Sequence, residues 1–195
     1  MPTCLRRVPK QQRSRQRLDL ILDGAAELLG AVGAGGTTIT AVAERTGLAT
    51  SSIYAYVEGD RELIGAVAER GLERVHKHLV EILGNPSSDE ELGAVLSQGL
   101  MMFLDRYESD VGMRQAIAFV DADPELMHIN LADTHRNAEA IWAAVSRFQP
   151  AIDASTVLLL VHLSGALAGL AASVSEPEAK KLISEFERLT VLMLT

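Results

Sequence analysis

The sequence predicts an all-α protein, with an N-terminal three-helix head that carries a helix-turn-helix and a C-terminal helical bundle. Apolar residues recur at spacings of three and four through most of the 195 residues, which is the period of helices with one buried face. No segment shows the apolar–polar alternation of a strand. A hydrophobic content of 48% and only six prolines also suit a compact helical protein.

The first 17 residues form a basic arm. They contain six cations and no acid: Arg6, Arg7, Lys10, Arg13, Arg15 and Arg17. The whole chain has 18 basic and 26 acidic residues and a formal net charge of −8, so the remaining 12 cations belong to a strongly acidic body. This asymmetry indicates a polyanion at one end of the molecule, the alternative being a solvated tail without a partner. We expect disorder up to about Gln12.

The head begins with a helix from Leu18 to Val32, which Gly33–Gly36 ends as a plain turn. The stretch Thr37–Val57 then predicts two short helices. Gly47 ends the first of them and Leu48 fills the turn. We expect the hydroxyl residues that follow Ala49 to cap a second helix running to Val57. This is the layout of a helix-turn-helix, whose second helix enters the DNA major groove.

A long helix follows from Asp60 to Leu83, and the polar, proline-containing stretch after it marks a boundary. Five further helices are predicted. They begin at Asp89, Val111, Asp123-Pro124, Ala151 and Glu176-Pro177. In the helix that starts at Asp123-Pro124, helical spacing places an inward face on these residues: Met127, Leu131, His135, Ala138, Ile141, Trp142, Val145 and Phe148.

The segment Ala154–Val174 has no charged residue and contains Gly165-x-x-x-Gly169, so its length and polarity would allow a membrane span. It also carries His162 and four hydroxyl residues, and its ends lack aromatic or basic anchors. A helix that is apolar on nearly all sides can instead be buried between its own bundle and a partner subunit. We expect this second arrangement.

The run Thr40-x-x-Ala43-x-x-x-Gly47-Leu48-x-x-Ser51-x-Ile53-Tyr54-x-Tyr56-Val57, followed by Glu62-Leu63, resembles the DNA-binding signature of TetR-like (TetR/AcrR) bacterial repressors. The resemblance covers roughly Leu18 to Leu83. One residue departs from the pattern, since the family often has Lys where this chain has Asp60. Arg61 is the candidate replacement for that phosphate contact.

The resemblance implies a homodimer that binds double-stranded operator DNA and responds to a small effector. The domains expected from the sequence are a basic arm at 1–17, a helix-turn-helix domain at 18–59, a connecting helix at 60–83 and a regulatory and dimerisation domain at 84–195. The candidate DNA-binding residues are Arg13, Arg15, Arg17, Thr38, Thr50, Ser51, Ser52, Tyr54, Ala55, Tyr56 and Arg61. Of these, Tyr54 either contacts phosphate or packs against the first helix. The arginines either attract phosphates or enter a minor groove.

The implied effector pocket lies in the C-terminal domain, and the effector is expected to be small and largely apolar. Its candidate lining residues are Phe103, Tyr107, Met127, His135, Trp142 and His162. The resemblance also pairs the last two helices with their twins in a dimer interface. Its candidate residues are Leu159, His162, Gly165, Ala166, Gly169, Leu182, Phe186 and Leu189.

Other classes of function have little support in the sequence. It contains no Gly-x-Ser-x-Gly, no phosphate-binding loop and no histidines at metal-ligand spacing, so we expect no enzyme activity, metal or cofactor. The single cysteine, Cys4, and the lack of a signal peptide favour a reducing cytoplasm. The remaining alternative is a helical dimerisation module that does not bind DNA.

Overall fold

The computed structural model describes residues 4–6 and 9–194. Within them the chain forms nine α-helices, with a short 3₁₀ turn at Ala34–Gly36 and no strand, so the predicted fold class is confirmed. The helices are α1 Gln12–Val32, α2 Ile39–Thr46, α3 Thr50–Tyr54, α4 Asp60–Leu83, α5 Asp89–Ser109, α6 Val111–Ala122, α7 His128–Val145, α8 Ala154–Ala171 and α9 Glu176–Leu194.

The chain divides into two compact units. The first, called the head unit, comprises Met1–Glu73 and Asp110–Asn130, and the second, called the body unit, comprises Arg74–Ser109 and Leu131–Thr195. Helix α6 therefore belongs with the N-terminal helices, although it follows α5 in the sequence. The domain boundaries expected from the sequence stay a prediction.

Two glycines allow the helices of the head unit to pack closely. On α1, a Cβ at Gly24 would lie 2.7 Å from the side-chain methyl of Thr46 on α2. On α6, a Cβ at Gly112 would lie 2.9 Å from the carbonyl carbon and 3.1 Å from the Cα of Ala26 on α1. The atoms that a Cβ at Gly112 would meet belong to the backbone of Ala26, so they cannot rotate away as a side chain could. The buried apolar face of α1, which includes Ile21 and Leu29, completes the core of this unit.

The body unit has one main apolar cluster, built from α4, α5, α7 and α8. Its buried members are Leu79, Leu83, Leu92, Ala138, Ala144, Val145, Val157 and Leu160. A smaller cluster of Leu104, Leu167 and Ala168 is covered by side chains of α5 and α9. The last two helices pack against each other in this unit.

The sequence prediction for α7 was wrong in two respects. The helix begins at His128, because Asp123 caps a turn there by accepting from the backbone N–H groups of Glu125 and Leu126. Its inward face was also misassigned, since Met127, Leu131, His135 and Trp142 are exposed. Polar residues take their place in the interior: Asp133, Thr134 and Asn137 are buried beside Ala138 and Val145.

Two of these polar side chains, Asp133 and Asn137, share a hydrogen-bond network that satisfies them in the interior. The Asp133 carboxylate accepts from Arg136 Nη2 at 2.5 Å and from Asn137 Nδ2 at 2.7 Å. Asn137 Oδ1 lies 2.7 Å from Nδ1 of His76 on α4, and since that oxygen is an acceptor, this ring nitrogen carries the proton. Burial raises the pKa of Asp133, and the positive charge of Arg136 offsets only part of that effect.

This raised pKa has a measurable consequence for stability. The pKa of an Asp side chain in the unfolded chain is about 3.9. When the folded-state pKa is higher, the acid contributes stability that is fully present below about pH 3.9 and is lost as pH rises through the folded-state pKa. We therefore expect Asp133→Asn to remove a fall in stability that begins near pH 4 in the parent chain. Urea unfolding midpoints of both proteins from pH 4 to pH 7 measure the difference. Parallel pH profiles would contradict the prediction.

Candidate DNA-binding interface

Local backbone chemistry fixes the helix-turn-helix. Thr38 caps α2, its hydroxyl accepting from the backbone N–H of Ala41 at 3.1 Å. Gly47 ends α2 with φ 70° and ψ 16°, a left-handed conformation that suits glycine, and the N–H of Leu48 returns to the carbonyl of Ala43 at 3.2 Å. The predicted helix stop is therefore observed at the predicted residue.

Helix α3 is the candidate recognition helix, and it is short. It spans Thr50–Tyr54, so the helix predicted to reach Val57 ends three residues earlier. The predicted hydroxyl cap is also wrong, because the N-cap residue is Ala49 and no side chain caps the helix. Ile53 is fully buried and anchors the helix in the head unit.

The opposite side of α3 presents small polar groups. Thr50, Ser51, Tyr54 and Ala55 are exposed and Ser52 is half-buried. Tyr54 has 48% of its surface accessible, which favours a phosphate contact over packing against α1. Hydroxyl groups can donate to or accept from several bases, so this surface has the chemistry for weak, permissive contact with a major groove.

Tyr56 is the clearest error among the predicted DNA contacts. Only 2% of it is accessible, and its hydroxyl donates to the carbonyl of Ser14 on α1 at 3.2 Å. It lies after the end of α3, where the chain turns toward α4, so helical spacing does not place it on the outer face. Tyr56 is a core residue that ties α1 to this turn.

Arg61 was predicted to replace a family phosphate contact, and the structure does not support this. Its guanidinium binds Asp123 through Nε at 2.7 Å and Nη2 at 2.5 Å, and it binds Glu125 through Nη1 at 2.5 Å. The hydrogen bonds from Arg61 lower the pKa of the Asp123 carboxyl. Such bidentate pairing holds Arg61 against the loop after α6 and removes it from the candidate DNA surface.

Asp60, the residue that departs from the family pattern, has a structural role. Its Oδ1 accepts from the backbone N–H of Ile39 at 2.6 Å, so its carboxylate lies at the N-terminus of α2, where the helix dipole favours an anion. The sequence analysis identified it only as the start of the long helix and as a departure from the family pattern. Its bond to α2 joins residues 21 positions apart, which local patterns do not predict.

The cations of the arm partly lie on α1. Because α1 begins at Gln12, the exposed Arg13, Arg15 and Arg17 occupy its first two turns, and Arg15 Nε also donates to the carbonyl of Pro9 at 3.2 Å. Arg7 lies outside the described residues. The predicted disorder up to Gln12 does not hold for Arg6, whose N–H donates to the carbonyl of Tyr56 at 2.7 Å.

The candidate pocket residues are not brought together as predicted. Phe103 and Tyr107 lie side by side on α5 with ring centroids 6.0 Å apart, partly buried against the smaller cluster of the body unit. Met127, His135 and Trp142 are exposed, so their predicted inward position is wrong, and His162 is exposed as well. Of the six residues, only the aromatic pair on α5 retains an interior position.

The candidate dimer residues fall into two groups. The exposed ones are Leu159, His162, Gly165 and Ala166 of α8 and Leu189 of α9. Gly169 is half-buried, while Leu182 and Phe186 pack against the smaller cluster of their own chain. Leu163 and Leu170, which the prediction omitted, extend the exposed apolar face of α8 with 41% and 49% of their surfaces accessible.

Two features of the described residues bear on other functions. No group of three or more His, Cys, Asp or Glu side chains is placed to hold a metal ion in that part of the chain. Helix α8 is long and apolar enough to cross a membrane by length and composition alone.

Comparison with known proteins agrees with this geometry. Residues 21–67 match the family model of bacterial regulatory proteins of the tetR family. A TetR-family transcriptional regulator from Streptomyces coelicolor is 26% identical, with a TM-score of 0.69 over 90% of this chain and 97% of that one. The comparison with curated proteins gave no match.

Two further solved structures share the fold at lower identity. The fatty acid degradation regulator FadR from Bacillus halodurans is 15% identical, with a TM-score of 0.66 over 89% of this chain and 97% of that one. A transcriptional regulator of the TerR/AcrR family from Aquifex aeolicus is 17% identical, with a TM-score of 0.61 over 90% and 98% of the two chains.

The fold and the site together define a DNA-binding transcriptional regulator of the helix-turn-helix class. The tetR family model matches residues 21–67 and the solved structures share the fold, so the resemblance found in the sequence is confirmed. The chain resembles TetR-family regulators, and the segment that matches the family model lies in the head unit.

Proposed function

We propose that this protein is a homodimeric, non-enzymatic cytoplasmic repressor that binds a palindromic operator and is released by a small, largely apolar effector. The observation that carries the proposal is the outer face of α3. Three of its residues and Ala55, which follows it, are exposed, while Ile53 anchors the helix beneath them. The first two turns of α1 present three exposed arginines, which supply the attraction to phosphates.

Dimerisation is supported by α8. Leu159, Leu163, Ala166 and Leu170 are all exposed and follow one another at spacings of four, three and four, so they form one continuous apolar stripe. A soluble chain rarely leaves such a stripe in water, and a second copy of the same helix would cover it. Two heads then bind half-sites about one helical turn apart, which requires a palindromic operator.

An effector acts through the equilibrium between two states of the dimer. It must bind more tightly to the state whose heads do not fit the operator. Helix α4 provides a continuous connection, because residues of both units lie on it. Phe103 and Tyr107 are the aromatic candidates for contact with an apolar effector, and one structural neighbour is a regulator of fatty acid degradation.

A mobility-shift experiment tests the DNA-binding part of the proposal. Purified protein should shift DNA taken from upstream of its own gene, with affinity falling steeply as salt rises. Ser51→Glu places a carboxylate on the outer face of α3 and should abolish the shift. Gln98→Glu introduces the same charge at an exposed position of α5 and should leave the shift unchanged.

If the parent protein does not shift this DNA, or if Ser51→Glu binds as the parent does, α3 is not the DNA-binding helix. The chain would then be a helical dimerisation module. For the effector, thermal-shift screening of small apolar compounds identifies ligands of the body unit. A ligand that raises the melting temperature should also release the operator, and indifference of operator binding to every such ligand would contradict regulation by an effector.

A further inference from the structure

The C-terminal end of the recognition helix has partners from the start of the chain. Helix α3 has only five residues, so most of its carbonyl groups lie in its last turn and cannot bond within the helix. The carbonyl of Ile53 accepts from Tyr56 and Val57. The carbonyl of Tyr54 accepts from Arg6 Nη1 at 3.3 Å, and the carbonyl of Tyr56 accepts from the backbone N–H of Arg6 at 2.7 Å.

The segment Cys4–Arg6, called the strap, is anchored at its other end on α4. The backbone N–H of Cys4 donates to the carboxylate of Glu69 at 3.1 and 3.3 Å. Gly65 makes room for the cysteine, because a Cβ at that position would overlap Cys4 Sγ and lie 3.5 Å from Cys4 Cβ. Burial raises the pKa of the Cys4 thiol to about 12, with a further contribution from the charge of Glu69.

The Arg6 side chain lies where a cation stabilises a helix. It is close to the C-terminus of α3, where the unpaired carbonyls carry partial negative charge. Its Nε is also 3.6 Å from the carboxylate of Glu58, in the loop that leads to α4. Arg6 therefore joins the last residue of the recognition helix to the loop that follows it.

We propose that Arg6 is a positioning residue of the recognition helix: the strap fixes the C-terminal end of α3 against α4 and does not itself bind DNA. The inference rests on the proposed function, since it assumes that α3 contacts the operator. A helix of five residues has few internal hydrogen bonds, so its orientation depends on contacts from outside it. The strap supplies one such contact to Tyr54, the last residue of the helix, and a second to Tyr56, two residues beyond it.

The first experiment needs no DNA. Cys4 is the only cysteine in the chain, so its alkylation by iodoacetamide reports directly on whether the strap is docked. Arg6→Ala removes the side-chain bonds, and Arg6→Pro also removes the backbone N–H donor. We expect alkylation to become faster in Arg6→Ala and faster again, by about tenfold over the parent, in Arg6→Pro. Amide exchange of residues 54–57 should rise in the same order.

The second experiment measures operator affinity against salt concentration. A positioning residue lowers the affinity at every salt concentration without changing the slope, and we expect a loss of about tenfold for Arg6→Pro. A residue that contacts phosphate would lower the slope of log affinity against log salt by about one. Arg6→Lys, which keeps the backbone donor and the charge, should retain most of the affinity. Lys10→Ala removes an exposed cation from the same part of the chain and should leave the Cys4 reaction unchanged.

Two outcomes would overturn the proposal. In one, the salt slope of the Arg6 variants falls while Cys4 alkylation stays at the parent rate, which makes Arg6 a DNA contact. In the other, alkylation rises but operator affinity does not change, so that the strap docks without positioning α3. If the parent protein binds no operator at all, the proposed function fails, and the alkylation and exchange rates still decide whether the strap holds the end of α3.

Discussion

Gly112→Ala is expected to lower the free energy of unfolding by about 3 kcal/mol, at the upper end of the usual cost of overpacking. The added methyl would lie 2.9 Å from the carbonyl carbon and 3.1 Å from the Cα of Ala26, and both atoms belong to the backbone of α1. Neither helix has a flexible side chain at this contact that could move aside. Helix α6 must therefore separate from α1, which also carries Arg13 and Arg17 of the candidate DNA surface.

Urea unfolding measures this effect, and Gly93→Ala is its control. Gly93 lies on α5, and nothing in the described structure lies within 4 Å of a Cβ built there. Alanine is favoured over glycine inside a helix by about 0.5–1 kcal/mol, so this control should be as stable as the parent or more stable. Equal stability of the two variants would mean that α1 and α6 are not closely packed.

The parts of the head unit that sequence reasoning predicted correctly depend on local signals. Gly47 ends α2 because the chain needs a left-handed residue there, and its neighbours in sequence show this. Gly33, the first residue of the predicted turn, ends α1. Signals of this kind lie within one or two turns of the residue concerned.

The errors came from partners that are distant in sequence. Arg61 has the charge for a phosphate contact, but its carboxylate partners lie 62 and 64 residues further along the chain. Tyr56 has the spacing of an outer residue in a longer helix, but the helix ends before it and its hydroxyl bonds 42 residues back. The strap bonds to Glu69, which is 65 residues from Cys4.

The face of α7 was misassigned for a different physical reason. Hydrophobic spacing assigns apolar residues to the interior, and this fails when buried polar groups satisfy one another. Asp133 and Asn137 are one turn apart, so a single face of the helix holds both ends of their hydrogen bond, and His76 extends the network from α4. Burial of Asp133 and Asn137 displaces Leu131 and Trp142 to the surface, and the predicted pocket is lost with them.

Ala166→Arg is expected to convert the proposed dimer into a monomer and to weaken operator binding by about a hundredfold or more. Ala166 lies in the middle of the exposed stripe of α8, between Leu163 and Leu170. An arginine there would introduce a long charged side chain into an apolar contact between two copies of the helix, where it has no partner. A monomer binds one half-site at a time and loses the gain in affinity that comes from linking two heads.

Light scattering coupled to size-exclusion chromatography measures the mass of the variant, and Ala94→Arg is the matched control. Ala94 is exposed on α5, so the same substitution there should leave the mass and the operator affinity unchanged. If Ala166→Arg remains a dimer with full affinity, then α8 is not the interface and its exposed apolar stripe requires another explanation. If it becomes a monomer and still binds the operator as tightly as the parent, one head is sufficient for binding, and the requirement for a palindrome is wrong.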